Sequence, residues 1–167
     1  FYDCPLKTLY LGRNLSYNVG ASNYDGYYGF SPFNGKNTLT SVTIGNTVTI
    51  IGEHTFRNCY NLTDIIIPGE VTSIGEYAFY GCYGLTSIEI PNSVTSIGEG
   101  AFRGCGITSI TIPNSITNIE YGTFCGCDII SVTIPNSVTN IKKYAFAECY
   151  SLTSIEIPNS VTSIGEE

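Results

Sequence analysis

Apolar residues return along the chain with a fixed period. Taking Leu62, Leu85, Ile107, Ile129 and Leu152 as first positions, the intervals are 23, 22, 22 and 23 residues. One more unit starts at Leu39, and a truncated one ends at Glu167. In the unit beginning at Leu85 the apolar positions are Leu85, Ile88, Ile90, Val94, Ile97, Phe102 and Cys105. The segment SIEI alternates, the pattern of a strand with one buried face. Pro91-Asn92-Ser93 is a turn, and Pro91 ends the strand because it has no amide to donate. VTSI alternates again and predicts a second short extended piece. In GEGAFRGC, Ala101, Phe102 and Cys105 have helical spacing, which predicts one or two helical turns closed by Gly104.

Earlier in the chain the pattern degenerates. LKTLYLGRNL, from Leu6, matches LTSIEIPNSV in its apolar positions, and Phe1 and Cys4 have the spacing of Phe56 and Cys59. Starting and stopping within repeats, residues 1–167 read as a single solenoid cut from a longer array, with units near 6, 39, 62, 85, 107, 129 and 152. Ordering the backbone of one unit costs more than burying its few apolar side chains returns. Stacked units share ladders and a core, so stability belongs to the array.

A Leu followed by apolar residues three and five positions later is a leucine-rich-repeat pattern. The fuller form, LxxIxIPxxVTxIGxxAFxxC, resembles the BspA-like leucine-rich repeats of bacterial cell-surface proteins. The resemblance runs from Leu6 to Glu167. It implies an α/β repeat fold: a right-handed leucine-rich-repeat solenoid, β-rich, with a parallel β-sheet on one face and short helical turns on the other. It also implies a secreted or cell-surface protein that adheres to host matrix proteins or to other cells.

If the strands alternate, two polar columns line the sheet face. One holds Ser41, Asp64, Ser87, Ser109, Ser131 and Ser154; the other holds Thr43, Ile66, Glu89, Thr111, Thr133 and Glu156. These columns are either a binding face or a solvated β-surface of good strand formers. Ile66, with Asp64 and Glu89 near it, breaks the polar rule and makes this the candidate contact spot. On the turn edge the outward candidates are His54, Arg57, Tyr77, Tyr80, Arg103, Tyr121, Lys142, Lys143 and Tyr144, with Tyr60, Tyr83 and Tyr150 along a rim.

The first unit carries about ten extra residues, and residues 16–32 read SYNVGASNYDGYYGFSP. Tyr, Gly, Asn and Ser together are the composition of adaptable contact loops. Tyr17, Tyr24, Tyr27, Tyr28 and Phe30 are its candidate anchors, although the same aromatics could fold back and cover the neighbouring unit.

The chemistry of catalysis is missing. His54 is the sole histidine, so no Ser-His-Asp or Cys-His arrangement is convincing. No phosphate-binding glycine motif is present. Cys59, Cys82, Cys105, Cys127 and Cys149 occupy one repeat position and are expected as free buried thiols. Cys125 falls outside that column, at the position of Tyr80 and Arg103, and is expected to be partly exposed and the one reactive thiol. Cys125-x-Cys127 has no partner pair, so no metal site is expected. The reading predicts no enzyme activity and no cofactor.

Seven Lys+Arg against fourteen Asp+Glu give a net charge of −7, which argues against nucleic acid and anionic membranes as partners. The remaining classes are a protein-binding module, a spacer array presenting another domain, or a glycan-binding surface protein. Uncapped end units would also favour end-to-end self-association.

Overall fold

A computed structural model describes residues 4–15, 31 and 33–166. The chain winds through successive coils, each with one or two short strands, and all pairings between coils are parallel. One ladder contains β1 (Thr8–Leu11), β2 (Ser41–Ile44) and β4 (Asp64–Ile66), and continues further along as β7 (Ser109–Thr111) and β9 (Ser131–Thr133). The second ladder contains β3 (Ile50–Ile51), β5 (Ser73–Ile74) and β6 (Ser96–Ile97), then β8 (Asn118–Ile119), β10 (Asn140–Ile141) and β11 (Ser163–Ile164). The registers Ser41↔Asp64 and Ser109↔Ser131 place equivalent residues of successive units side by side. A conserved repeat position therefore becomes a column in space.

The core is a set of such columns. Phe33, Phe56, Phe79, Phe102, Phe124 and Phe146 form a file of stacked rings with centroids 6.0, 5.5, 5.4, 5.7 and 5.6 Å apart. Phe56, Phe79, Phe102 and Phe124 are fully buried. The cysteine column runs beside them. The Cys82 thiol donates to the Phe56 carbonyl at 3.1 Å, Cys105 to Phe79 at 3.1 Å and Cys127 to Phe102 at 3.1 Å. Each thiol thus satisfies a buried carbonyl of the coil before, a task Ala or Val could not perform. The recurrent threonines before the second strand act similarly at the surface: the Thr72 hydroxyl donates to Thr49 O at 3.2 Å and Thr95 to Thr72 O at 3.3 Å.

The expected helical turns are not formed. Among the described residues there is no helix; residues 99–104 are hydrogen-bonded turns. The reason lies in where the amides point. Ala101 N, Arg103 N and Cys105 N donate three residues back, to Gly98, Gly100 and Phe102. The alternate amides of Gly100, Phe102 and Gly104 donate sideways, to Tyr121 O at 2.8 Å, Thr123 O at 3.0 Å and Cys125 O at 2.8 Å. A helix would use all of them within the segment; here half tie the coil to its neighbour. This zigzag needs two left-handed residues per coil. They are His54, Tyr77, Gly100, Gly122 and Tyr144 at one position, and Gly35, Asn58, Gly81, Gly104, Gly126 and Glu148 at the other, with φ between 51 and 72°. Glycine fills most of the second column because a Cβ is strained in that conformation.

Both ladders are interrupted around the coil of residues 85–106. Residues 87–89 belong to no strand, and no pairing joins β6 to β8. On the turn edge the two coils stay bonded and Phe102 stacks on Phe124 at 5.7 Å with rings 3° apart. The interruption coincides with a shortened corner. The segment Cys82-Tyr83-Gly84-Leu85 has two residues between its Cys and Leu, whereas Cys105-Gly106-Ile107 has one. Composition adds to this effect. Residues 87–90 and 154–157, the two SIEI segments, are both outside the ladder and carry Glu89 and Glu156 at the outward position, where the strands have Thr, Ile or Tyr. Glu is a weak strand former beside β-branched residues.

Candidate functional site

The sheet face carries the predicted columns outward. Asp64, Ile66, Ser87, Glu89, Ser109 and Thr111 are all exposed. At the ladder interruption all of these but Ile66 help line a groove of about 350 Å³, formed by Thr63, Asp64, Ile65, Ser87, Ile88, Glu89, Ser109 and Thr111. The structure therefore brings Asp64 and Glu89 together in one concavity, two candidate residues from different units. Asp64 is held on one side by the Ser41 hydroxyl, which donates to Oδ2 at 3.1 Å. Ile66 stands next to the groove and is 71% exposed, an apolar side chain on a polar face. Ile130, at 62%, is a second. The groove itself was not foreseen from sequence, where its coils repeat the common pattern.

Tyr17, Tyr24, Tyr27, Tyr28 and Phe30 lie outside the described residues. The insertion rejoins the array at Phe33, in file with Phe56. Lys36 follows at the cysteine position and is buried, which the repeat pattern did not predict. Counting three residues on from Phe33, as from Phe56 to Cys59, would have found it.

On the turn edge, side chains are less free than expected. His54 was expected outward but is buried, because its ring stacks on Tyr77 at 5.3 Å with the planes 9° apart and Arg57 Nη1 lies 3.3 Å from its Nδ1. Desolvation, and then the Arg57 charge, hold its pKa below the usual histidine value. Arg57 in turn lies over Tyr80 at 4.6 Å and over Tyr77 at 5.7 Å. Tyr77, Tyr80, Arg103, Tyr121 and Tyr144 are half-buried, while Lys142 and Lys143 are exposed. Glu76 repeats the position of Glu53 and Glu99. Burial, then repulsion from those two carboxylates, raises its pKa. The exposed rim begins with a stacked pair, Tyr60 and Tyr83, at 5.4 Å and 12°.

Cysteine chemistry follows burial. All seven thiols are free. The expectation for Cys125 is overturned: it is 2% exposed. A short side chain at a position where other coils carry Tyr or Arg lies beneath its neighbours, near enough to Arg103 and Glu148 for both charges to act on it. Desolvation raises its pKa, and pushes Cys59 and Cys127 up to about 12. Since only thiolates react readily, these groups are protected twice over at neutral pH. Cys4 is the exposed thiol. Titration of the native protein with a thiol reagent at about pH 8, just below the ordinary thiol pKa of about 8.5, should show one fast equivalent, lost in Cys4→Ser. Fast labelling of Cys125 in that variant would contradict the burial.

Among the described residues no group of three or more His, Cys, Asp or Glu side chains could hold a metal ion. No helix is long and apolar enough to cross a membrane.

Known structures share this architecture. A leucine-rich repeat protein from Bacteroides ovatus is 33% identical, with a TM-score of 0.65 over 94% of this chain and 48% of its own. The T. pallidum leucine-rich repeat protein is 30% identical, with a TM-score of 0.77 over 95% of this chain and 78% of its own. A leucine-rich cell surface protein from Faecalibacterium prausnitzii is 35% identical, with a TM-score of 0.73, over 93% of this chain and 43% of its own. The chain thus spans about half or less of the Bacteroides and Faecalibacterium proteins. No curated protein matches the sequence. The BspA type leucine-rich repeat region matches in six copies, over residues 27–105 and 72–167. Columns of Leu, Ile, Phe and Cys laid coil on coil, together with that match, establish that the chain belongs to the BspA-type leucine-rich-repeat family.

Proposed function

We propose that this chain is a non-enzymatic protein-binding module of a secreted or cell-surface protein, adhering to matrix or cell-surface proteins of a host or a neighbouring cell. The observation that carries this reading is the groove at the ladder interruption, where Asp64 and Glu89 converge beside the exposed Ile66. A polar concavity flanked by an apolar side chain suits a protein surface, since it offers both charge complementarity and burial. Likeness to a bacterial cell-surface protein supports the location. Tyr17, Tyr24, Tyr27, Tyr28 and Phe30 are proposed as a second contact element, on composition.

The test is capture of the purified protein on immobilised extracellular-matrix proteins and on cultured cells. It compares wild type, D64N/I66A/E89Q, and a deletion of residues 16–32. Roughly tenfold weaker capture is expected from the triple variant, on the scale of losing an interface cluster. Capture of the wild type no better than an unrelated acidic protein, or unchanged capture by both variants, would overturn the reading.

A further inference from the structure

The rim of tyrosines breaks off after two rings. Tyr60 leans over the next coil, its Cε1 3.7 Å from where a Cβ would stand at Gly81. Tyr83 repeats this one coil later, with Cε1 3.5 Å from the corresponding point at Gly104. A third ring would lie over Gly126. None stands there, because the shortened corner at Gly106 removes the residue equivalent to Tyr83. Gly106 matches Gly84: a Cβ on either glycine would meet a tyrosine carbonyl of the coil before, Tyr83 O at 2.3 Å or Tyr60 O at 3.0 Å.

A carboxylate reaches the vacant place. Glu148 Oε2 is the atom nearest the Gly126 Cβ position, at 3.7 Å. Tyr83 is 62% exposed, and its one ring contact among the described residues is Tyr60. Its outer face is open. Asp128 is exposed on the same rim, and its charge is felt by the Cys127 and Cys149 thiols. Neither Asp128 nor Glu148 forms an ion pair among the described residues. Arg103 has Nη1 3.9 Å from the Gly122 Cβ position. The result is a step one ring thick, walled by an aromatic face, floored by Gly104 and Gly126, and edged by unpaired carboxylate.

We propose that this step binds a guanidinium group, the arginine side chain of a protein partner; the partner's nature rests on the protein-binding reading above. Three observations favour guanidinium. It is flat and cationic, so it stacks on a tyrosine face while donating hydrogen bonds to a carboxylate in its plane. The protein uses the same pairing internally, with Arg57 stacked over Tyr80 at 4.6 Å. The chain carries a net charge of −7, which draws basic segments towards it.

The test uses N-acetyl-L-arginine amide as the probe and the ring signals of Tyr83 in tyrosine-labelled protein as the readout. A saturable shift at Tyr83 is expected, with a dissociation constant on the order of millimolar for so small a group. E148Q, which preserves shape, should weaken binding about fivefold or more, as loss of a charge-assisted hydrogen bond does. Y83A should abolish the response of the Gly126 amide. N-acetyl-L-lysine amide should bind more weakly, because a compact ammonium does not stack. No shift at Tyr83, an affinity unchanged in E148Q, or saturation by methyl glucoside but not by the arginine probe would overturn the proposal. The matrix-capture assay, run on Y83A and E148Q, separates the two claims. Undiminished capture with a functioning arginine site would remove the partner from the step. Absent wild-type capture with a functioning arginine site would remove the protein-binding reading and leave the guanidinium site standing.

Discussion

Phe102→Ala should destabilise the array by about 3–5 kcal/mol, the scale for deleting a buried ring from a core that cannot collapse around the gap. Phe102 is fully buried, between Phe79 at 5.4 Å and Phe124 at 5.7 Å, with both ring pairs within 3° of parallel. The loss exceeds one side chain's burial, because two stacking contacts disappear and the cavity sits between rigid coils. It also falls at the junction where β6 and β8 do not pair, so the Phe102–Phe124 contact and the turn-edge hydrogen bonds carry more of the junction there. Unfolding in urea, followed by circular dichroism, should shift to a clearly lower midpoint. Amide exchange should accelerate most across the coils on either side of the junction. Phe146→Ala is the comparison: Phe146 is half-buried and has one stacked neighbour, Phe124 at 5.6 Å, so its loss should be distinctly smaller. Equal effects at the two positions would mean that the file of rings does not carry the array's stability.

Gly98→Ala should cost about 1–3 kcal/mol, the range for overpacking a closed interior. A Cβ at this position would stand 2.5 Å from Glu76 N, 2.8 Å from Gly75 C and 2.9 Å from Glu76 Cα. All three are backbone atoms of the preceding coil, so no side chain can rotate away. The coils would have to separate, stretching the Gly98 N to Ile74 O bond of 2.8 Å. Gly69→Ala provides the control. Nothing lies within 4 Å of its Cβ position, and its stability should change by less than about 0.5 kcal/mol. Urea midpoints of the two variants decide the matter: a neutral Gly98→Ala would show that the coils are not in backbone contact at this corner.

The residues that declared themselves in sequence were those whose role repeats. Ile, Val and Leu at alternating positions, and Phe and Cys once per unit, marked the buried face correctly, because in a stacked array each residue meets its own equivalent in the next coil. Cys59, Cys82, Cys105, Cys127 and Cys149 were legible as buried thiols for the same reason, although their bond to a phenylalanine carbonyl was not. Where the period itself erred was the segment around Phe102. Ala101, Phe102 and Cys105 have helical spacing, but spacing records which side chains face inward and not where the amides point. Donation from Gly100, Phe102 and Gly104 to the next coil turns a predicted helix into a row of turns.

Asp64, Ile66 and Glu89 were singled out as polar-rule breakers, and their exposure followed from alternation alone. That Asp64 and Glu89 share a groove depended on the ladder opening between their two coils, a matter of how one coil seats on another and not of the pattern within either unit. His54 and Cys125 were misjudged for a related reason. Exposure at the turn edge depends on the length of neighbouring side chains in the coils above and below, so a stacked imidazole and a short thiol are covered by residues more than twenty positions away. By itself the sequence determined the fold of the array, its inside and its outside, because those depend on local alternation and on contact between equivalents. The tertiary structure alone decided the path of the turns, the groove and the open face of Tyr83, because those depend on where equivalence between coils fails.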